Sequence, residues 1–152
     1  MSGPEVERWT SRQADEPQCV VAADVEVPVL LEAVAAGARS AGLAARSVPG
    51  GLDASRGIRG GYLLSEVVQL PLMAVLAKVE IQVRVLVAEP GRARVSVTCV
   101  AGARELGAAK RVARALTDAR SRMEAAGTPL RISPWAALWQ RGTGGPEGPE
   151  VV

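Results

Sequence analysis

The strongest regularity in the chain is an alternation of period two over residues 78–101. Val79, Ile81, Val83, Val85 and Val87 are all β-branched, and Lys78, Glu80, Gln82 and Arg84 stand between them. This pattern predicts a half-buried strand over 78–89. Residues 92–101 repeat it, with Ala93, Val95, Val97, Cys99 and Ala101 on one side and Arg92, Arg94, Ser96 and Thr98 on the other. Glu89-Pro90-Gly91 turns between the two strands. Both apolar sets are odd-numbered, so opposed positions in an antiparallel pair must sum to an even number. A plain two-residue Pro90-Gly91 loop would oppose Val87 and Arg94, across faces. The hairpin therefore needs a loop of three or five residues, or a bulge.

Weaker periodicities fill in the rest. Cys19, Val21, Ala23, Val25 and Val27 predict a strand over 19–27, with Asp24 and Glu26 on its other face. Pro28 suits the first turn of a helix. Leu30, Leu31, Val34, Ala38 and Ala41 share one side of that helix, which Gly42 ends. A short strand over 43–48 closes at Pro49-Gly50-Gly51. A further strand is expected over 55–62, broken by Gly60-Gly61. Leu63, Leu64, Val67 and Val68 are spaced for a short helix over 63–70, and Pro71 prevents its extension. The last main helix is expected over 106–126. Its narrow stripe is Val112, Leu116, Ala119 and Met123, and Gly127-Thr128-Pro129 stops it. Ser133-Pro134 then caps a short helix whose Trp135, Leu138 and Trp139 share one face.

The order β-α-β-β-(short α)-β-β-α predicts an α+β fold. It implies an antiparallel sheet of four to five strands with two main helices packed on one face. Helix-grip ligand-binding domains have a similar element order, an analogy of architecture that no motif in this chain carries. By organisation the chain reads as a flexible acidic N-terminal arm (1–17), a single α+β domain (18–127), a short Trp-containing helical extension (128–141) and a disordered Gly/Pro-rich tail (142–152).

Composition narrows the chemistry. The 152 residues contain no His and no Phe, one Tyr, two Cys and three Trp. Without His there is no His-based triad, no His-ligated zinc and no imidazole switch near neutrality. Apolar residues make up 48%, dominated by 26 Ala and 21 Val, so the core must be built from many small contacts. Net charge is +2, with 16 Arg but two Lys among the bases. That skew follows GC-rich, bacterial-like coding as well as it follows anion recognition. No apolar run is long enough to span a bilayer, and the polar, acidic N-terminus lacks the form of a signal peptide. A cytoplasmic location is expected, with Cys19 and Cys99 reduced and buried.

Four groups of residues could carry function. Pro49-Gly50-Gly51 and the Gly57–Gly61 stretch bracket Arg56 and Arg59 but match no phosphate-loop order. Tyr62, Glu66 and Arg84 are candidate polar contacts of a pocket lined by residues 63–77. Arg111 and Arg114 belong to a basic stretch over 104–122, with Asp118 placed to pair at i±4 spacing. Trp135, Leu138 and Trp139, with Leu72 and Met73 of the apolar segment, are candidate partner contacts. The two Trp of the extension either anchor a partner or fold back on their own core. No residue is assigned a catalytic role, and no metal or cofactor is expected. The reading favours a non-catalytic binding or assembly module that contacts a protein partner or itself. A small-ligand domain with weak isomerase or cyclase activity is the alternative. Nucleic-acid binding through 104–122 ranks below both, since single-strand recognition wants stacking aromatics.

Overall fold

The computed structural model describes residues 5–56 and 78–141. Among these, the chain runs β1 (Gln18–Ala23), α1 (Val27–Ser40), β2 (Ala44–Val48), β3 (Gly51–Arg56), β4 (Val79–Glu89), β5 (Arg92–Ala101), α2 (Ala108–Ala125), β6 (Arg131–Ile132) and α3 (Leu138–Arg141). The six strands form one sheet in the order β2-β3-β4-β5-β1-β6, antiparallel throughout. The expected α+β architecture is present with one strand more than the upper expectation. The expected helix over 63–70 lies outside the described residues.

The valine face is the core. Cys19, Val21, Ala23, Ile81, Val83, Ala93, Val95, Val97 and Cys99 are buried, together with Leu30, Val34 and Ala38 of α1 and Val112, Leu116, Ala119 and Met123 of α2. Small residues let the two helices approach closely. A Cβ at Gly37 would collide with the Ala115 carbonyl oxygen.

The β4–β5 hairpin resolves its register with a bulge. Glu89 pairs with Arg92 across a two-residue turn, and Val87 falls opposite Arg94. The irregularity between Val85 and Val87 then restores Val85↔Val95 and Val83↔Val97 on the core face. A second irregularity, between Glu80 and Ile81, offsets the far end. Gly91 takes φ 69°, the left-handed value that the second turn position requires here.

Several boundaries differ from expectation. β1 ends at Ala23 rather than 27, because Glu26 caps α1 and its Oε1 accepts the Gly91 N–H at 2.7 Å. That contact pins the start of α1 to the β4–β5 turn. β3 begins at Gly51 rather than 55, because the Pro49-Gly50 turn reverses the chain at once: Val48 pairs with Gly51. Gly50 has φ 75° there. β6 pairs only two residues with β1 and carries no alternation that a sequence scan could detect. Ser133 caps no helix. It is buried, its Oγ accepts the Val20 N–H at 2.8 Å, and α3 starts only at Leu138.

The N-terminal segment, expected as a flexible arm, is docked on the domain from Val6 onward through buried residues set among exposed ones. Val6, Trp9 and Ala14 are buried, and a 3-10 turn spans Ser11–Gln13. Its polar, acidic composition hid the three apolar side chains that dock it.

Candidate functional site

Segments near the two ends of the described chain close on each other beside α2. Trp9 and Trp135 meet edge to face with ring centroids 4.9 Å apart, the arrangement that aromatic quadrupoles prefer. Each indole N–H is satisfied by a backbone carbonyl, Trp9 by Ala103 at 2.9 Å and Trp135 by Glu7 at 2.8 Å. Gln13 donates to the Trp135 carbonyl, Val6 N–H to Thr117 Oγ1, and Leu138 N–H to the Asp15 carbonyl. Gln18 and Ala136 exchange both backbone bonds as an isolated bridge. Trp135 therefore stands on extended backbone, not on a helix with its neighbours. It is 5% exposed, while Leu138 and Trp139 are 48% and 63% exposed. Of the two uses weighed for the tryptophans, Trp135 folds back on its own core and Trp139 remains at the surface.

The opposite end of the sheet is open. α1 and the β2–β3 hairpin diverge to leave a cleft of about 410 Å³. Leu31, Ala35, Ala45, Leu52 and Val85 form its apolar floor, and Glu32, Arg39 and Arg46 stand among its polar lining. β2 is the terminal strand on this side among the described residues, so its outer hydrogen-bonding edge is unpaired by them. The rim charges form loose, exposed pairs: Arg39 with Glu32 at 3.4 Å and Arg46 with Asp53 at 3.9 Å. Sequence reading missed this cleft. Its only local signal is a short strand of small residues, Ala44 and Ala45, followed by Arg46.

The basic residues separate into paired and unpaired sets. Arg84, a candidate contact, is engaged internally: its Nη1 donates to Asp53 Oδ1 at 2.7 Å and to the Leu52 carbonyl at 3.1 Å. Asp118 pairs with Arg122 at 2.5 Å and not with Arg114, matching the better orientation of an acid N-terminal to its base. Arg111 turns toward α1, where its Nη1 donates to the Ala41 carbonyl at 2.6 Å. Burial, then the charges of Arg56 and Arg114, hold the Arg111 guanidinium below its usual pKa. Arg56 of β3 and Arg114 of the same helix thus lie close enough to act on Arg111.

Both cysteines are free and buried on the core face. Burial pushes the Cys19 thiol far up, and pushes Cys99 up to about 11. Neither is a thiolate at neutral pH, which suits packing rather than nucleophilic attack. Among the described residues no three His, Cys, Asp or Glu side chains gather to hold a metal ion, and no helix is long and apolar enough to cross a membrane. Tyr62, Glu66, Leu72 and Met73 lie outside the described residues, as do Arg59 and the glycines around it. No known protein family matches the chain, and no curated protein matches it in sequence.

Proposed function

We propose that this protein is a non-catalytic binding module that takes up an extended segment of a protein partner along the edge of β2. The observation behind this reading is the coincidence of a strand edge left unpaired among the described residues with an apolar cleft beside it. An added strand bonds its main chain to β2 and turns alternate side chains toward one face. Those side chains would settle over Leu31, Ala45 and Leu52, in a space that suits small to medium aliphatic groups. Arg39 and Arg46 have exposed heads in weak pairs, so acidic residues at the intervening positions of the partner would find cations. A second copy is a poor occupant of this edge. Two β2 strands centred on Arg46 would place like charges directly opposite. Self-association, if present, would instead use the exposed Leu138 and Trp139.

The test is selection from a displayed library of random ten-residue peptides, with the Ala45→Trp variant as counter-selection. The expected result is a family of peptides with aliphatic residues at alternate positions and acids between them, each losing binding to Ala45→Trp. Selected peptides that bind both proteins equally would remove the β2 reading. Sedimentation velocity over a concentration series, comparing wild type with Trp139→Ala, reads self-association separately.

The small-ligand alternative would use the same cleft, whose volume lies within the roughly 300–1,000 Å³ typical of ligand pockets. Its opening beside a strand edge favours a peptide over an enclosed small molecule.

A further inference from the structure

The corner where α1 ends and β2 begins gathers positive charge that no carboxylate among the described residues pairs. Arg56 closes β3, and its neighbour Ser55 pairs with Ala44 at the start of β2. Three residues earlier, the Ala41 carbonyl holds Arg111 of α2. Arg114 follows Arg111 at i+3, so it stands on the same side of that helix one turn further on. Among the described residues none of these three arginines is in an ion pair, although ion pairs are found on most other elements. The nearest helical carboxylate, Asp118, is taken by Arg122.

We propose that Arg56, Arg111 and Arg114 form a binding site for a phosphate group carried by a small molecule. Three like charges brought to one corner of a fold repel unless an anion joins them. Arg111 is already oriented by its bond to Ala41, a carbonyl left over at the C-terminal end of α1, and most of its donors remain available. It is also partly withdrawn from water, which strengthens a charge-assisted bond. Arg56 and Arg114 are exposed and can close on a ligand from β3 and from α2. A planar carboxylate is satisfied by a single guanidinium fork. A tetrahedral phosphate offers oxygens to several forks arriving from different elements, which matches arginines drawn from a strand end and a helix face. Nucleic acid fits less well, because neither β3 nor α2 carries an aromatic residue for base stacking. This site is independent of the β2 cleft and stands or falls separately.

Isothermal titration at constant ionic strength tests it, with pyrophosphate, inorganic phosphate, acetate and an unphosphorylated ten-nucleotide single strand as probes. Pyrophosphate and phosphate are expected to bind about tenfold or more tighter than acetate, since each can engage more than one fork. Arg56→Gln and Arg114→Gln remove exposed side chains and should keep the wild-type melting temperature. Each should weaken pyrophosphate binding about fivefold or more, the loss of one charge-assisted contact. Equal affinity for acetate and phosphate would overturn the proposal, as would binding that survives the double substitution. Oligonucleotide binding tighter than pyrophosphate would also overturn it, by assigning the arginines to a phosphodiester backbone.

Discussion

The two ends of the sheet handle the same shortage in opposite ways. Alanine and valine dominate the core, and they cannot span the gap where secondary elements diverge. Beside α2 the gap is filled by imported bulk: Trp9 and Trp135, from the two ends of the described chain, meet edge to face and satisfy both indole N–H groups on backbone carbonyls. Between α1 and the β2–β3 hairpin no large side chain of the described residues arrives, and about 410 Å³ stays open among them over Leu31, Ala45 and Leu52. The first end is closed for stability. The second is open among the described residues. In a small-residue protein, the placement of a few large groups separates structure from candidate function.

The largest expected effect lies at the closed end. Trp135→Ala should cost about 3–5 kcal/mol in denaturant unfolding, since a buried indole is lost and the space cannot collapse fully. A double-mutant cycle with Trp9→Ala should leave a coupling of about 1 kcal/mol from the edge-to-face contact. A cost for Trp135→Ala within that of a surface change would erase the distinction between the two ends. Between them, Gly37→Ala should cost about 1–3 kcal/mol, because its Cβ would meet the Ala115 carbonyl and force α1 and α2 apart.

Alkaline pH probes the closed end again. The Cys99 N–H bonds to the Pro17 carbonyl, next to the docked N-terminal segment. The Cys99 pKa is raised from 9.0 to about 11 in the folded protein, so the unfolded chain ionises first. The stability this thiol contributes is full below pH 9.0 and is lost as pH rises through about 11. Melting curves should fall across that window, and Cys99→Ala should reduce the fall, leaving the part that belongs to the buried Cys19 thiol. Iodoacetamide labelling at pH 8 should be slow in wild type and faster in Trp135→Ala. At the open end, Ala45→Trp should change stability by about 0.5 kcal/mol or less, since the new side chain enters unfilled space. A large loss would mean that the cleft has no room.

The smallest effect expected concerns Asp24, whose carboxyl is held below its ordinary pKa by the Arg131 hydrogen bond and charge. The contribution of that exposed pair is present above the usual carboxylate pKa of 3.8 and lost as pH falls below it. Asp24→Asn should therefore lower the melting temperature slightly at neutral pH, and the difference should vanish in acid.

The legible parts of the fold were those with strong local periodicity. The alternation through Val79–Val87 and Ala93–Ala101 marks both central strands, and its parity shows that the hairpin must slip by one residue. The structure places that slip between Val85 and Val87. Helices α1 and α2 follow from their apolar stripes to within two residues at each end. What stayed hidden has no local pattern. β6 is two residues long and exists only because β1 offers an edge. Trp135 reads as one face of a helix with Leu138 and Trp139, yet its backbone is extended and bridged to Gln18 through Ala136. The candidate site was partly legible. Arg111 and Arg114 stand out as bases on a helix, whereas Arg56 comes near them only because the β2–β3 turn and the Ala41 contact fold the two segments together.

By itself the sequence determined which face of each long element is apolar, because side-chain alternation is a property of the local backbone. It also excluded imidazole chemistry, because no His is present. Tertiary structure alone decided where the few large groups go, which charges are paired and which strands stand at the ends of the sheet among the described residues. Those outcomes depend on how closely distant segments approach, as α1 and α2 do at Gly37, and close approach arises from packing over the whole chain rather than from any window along it.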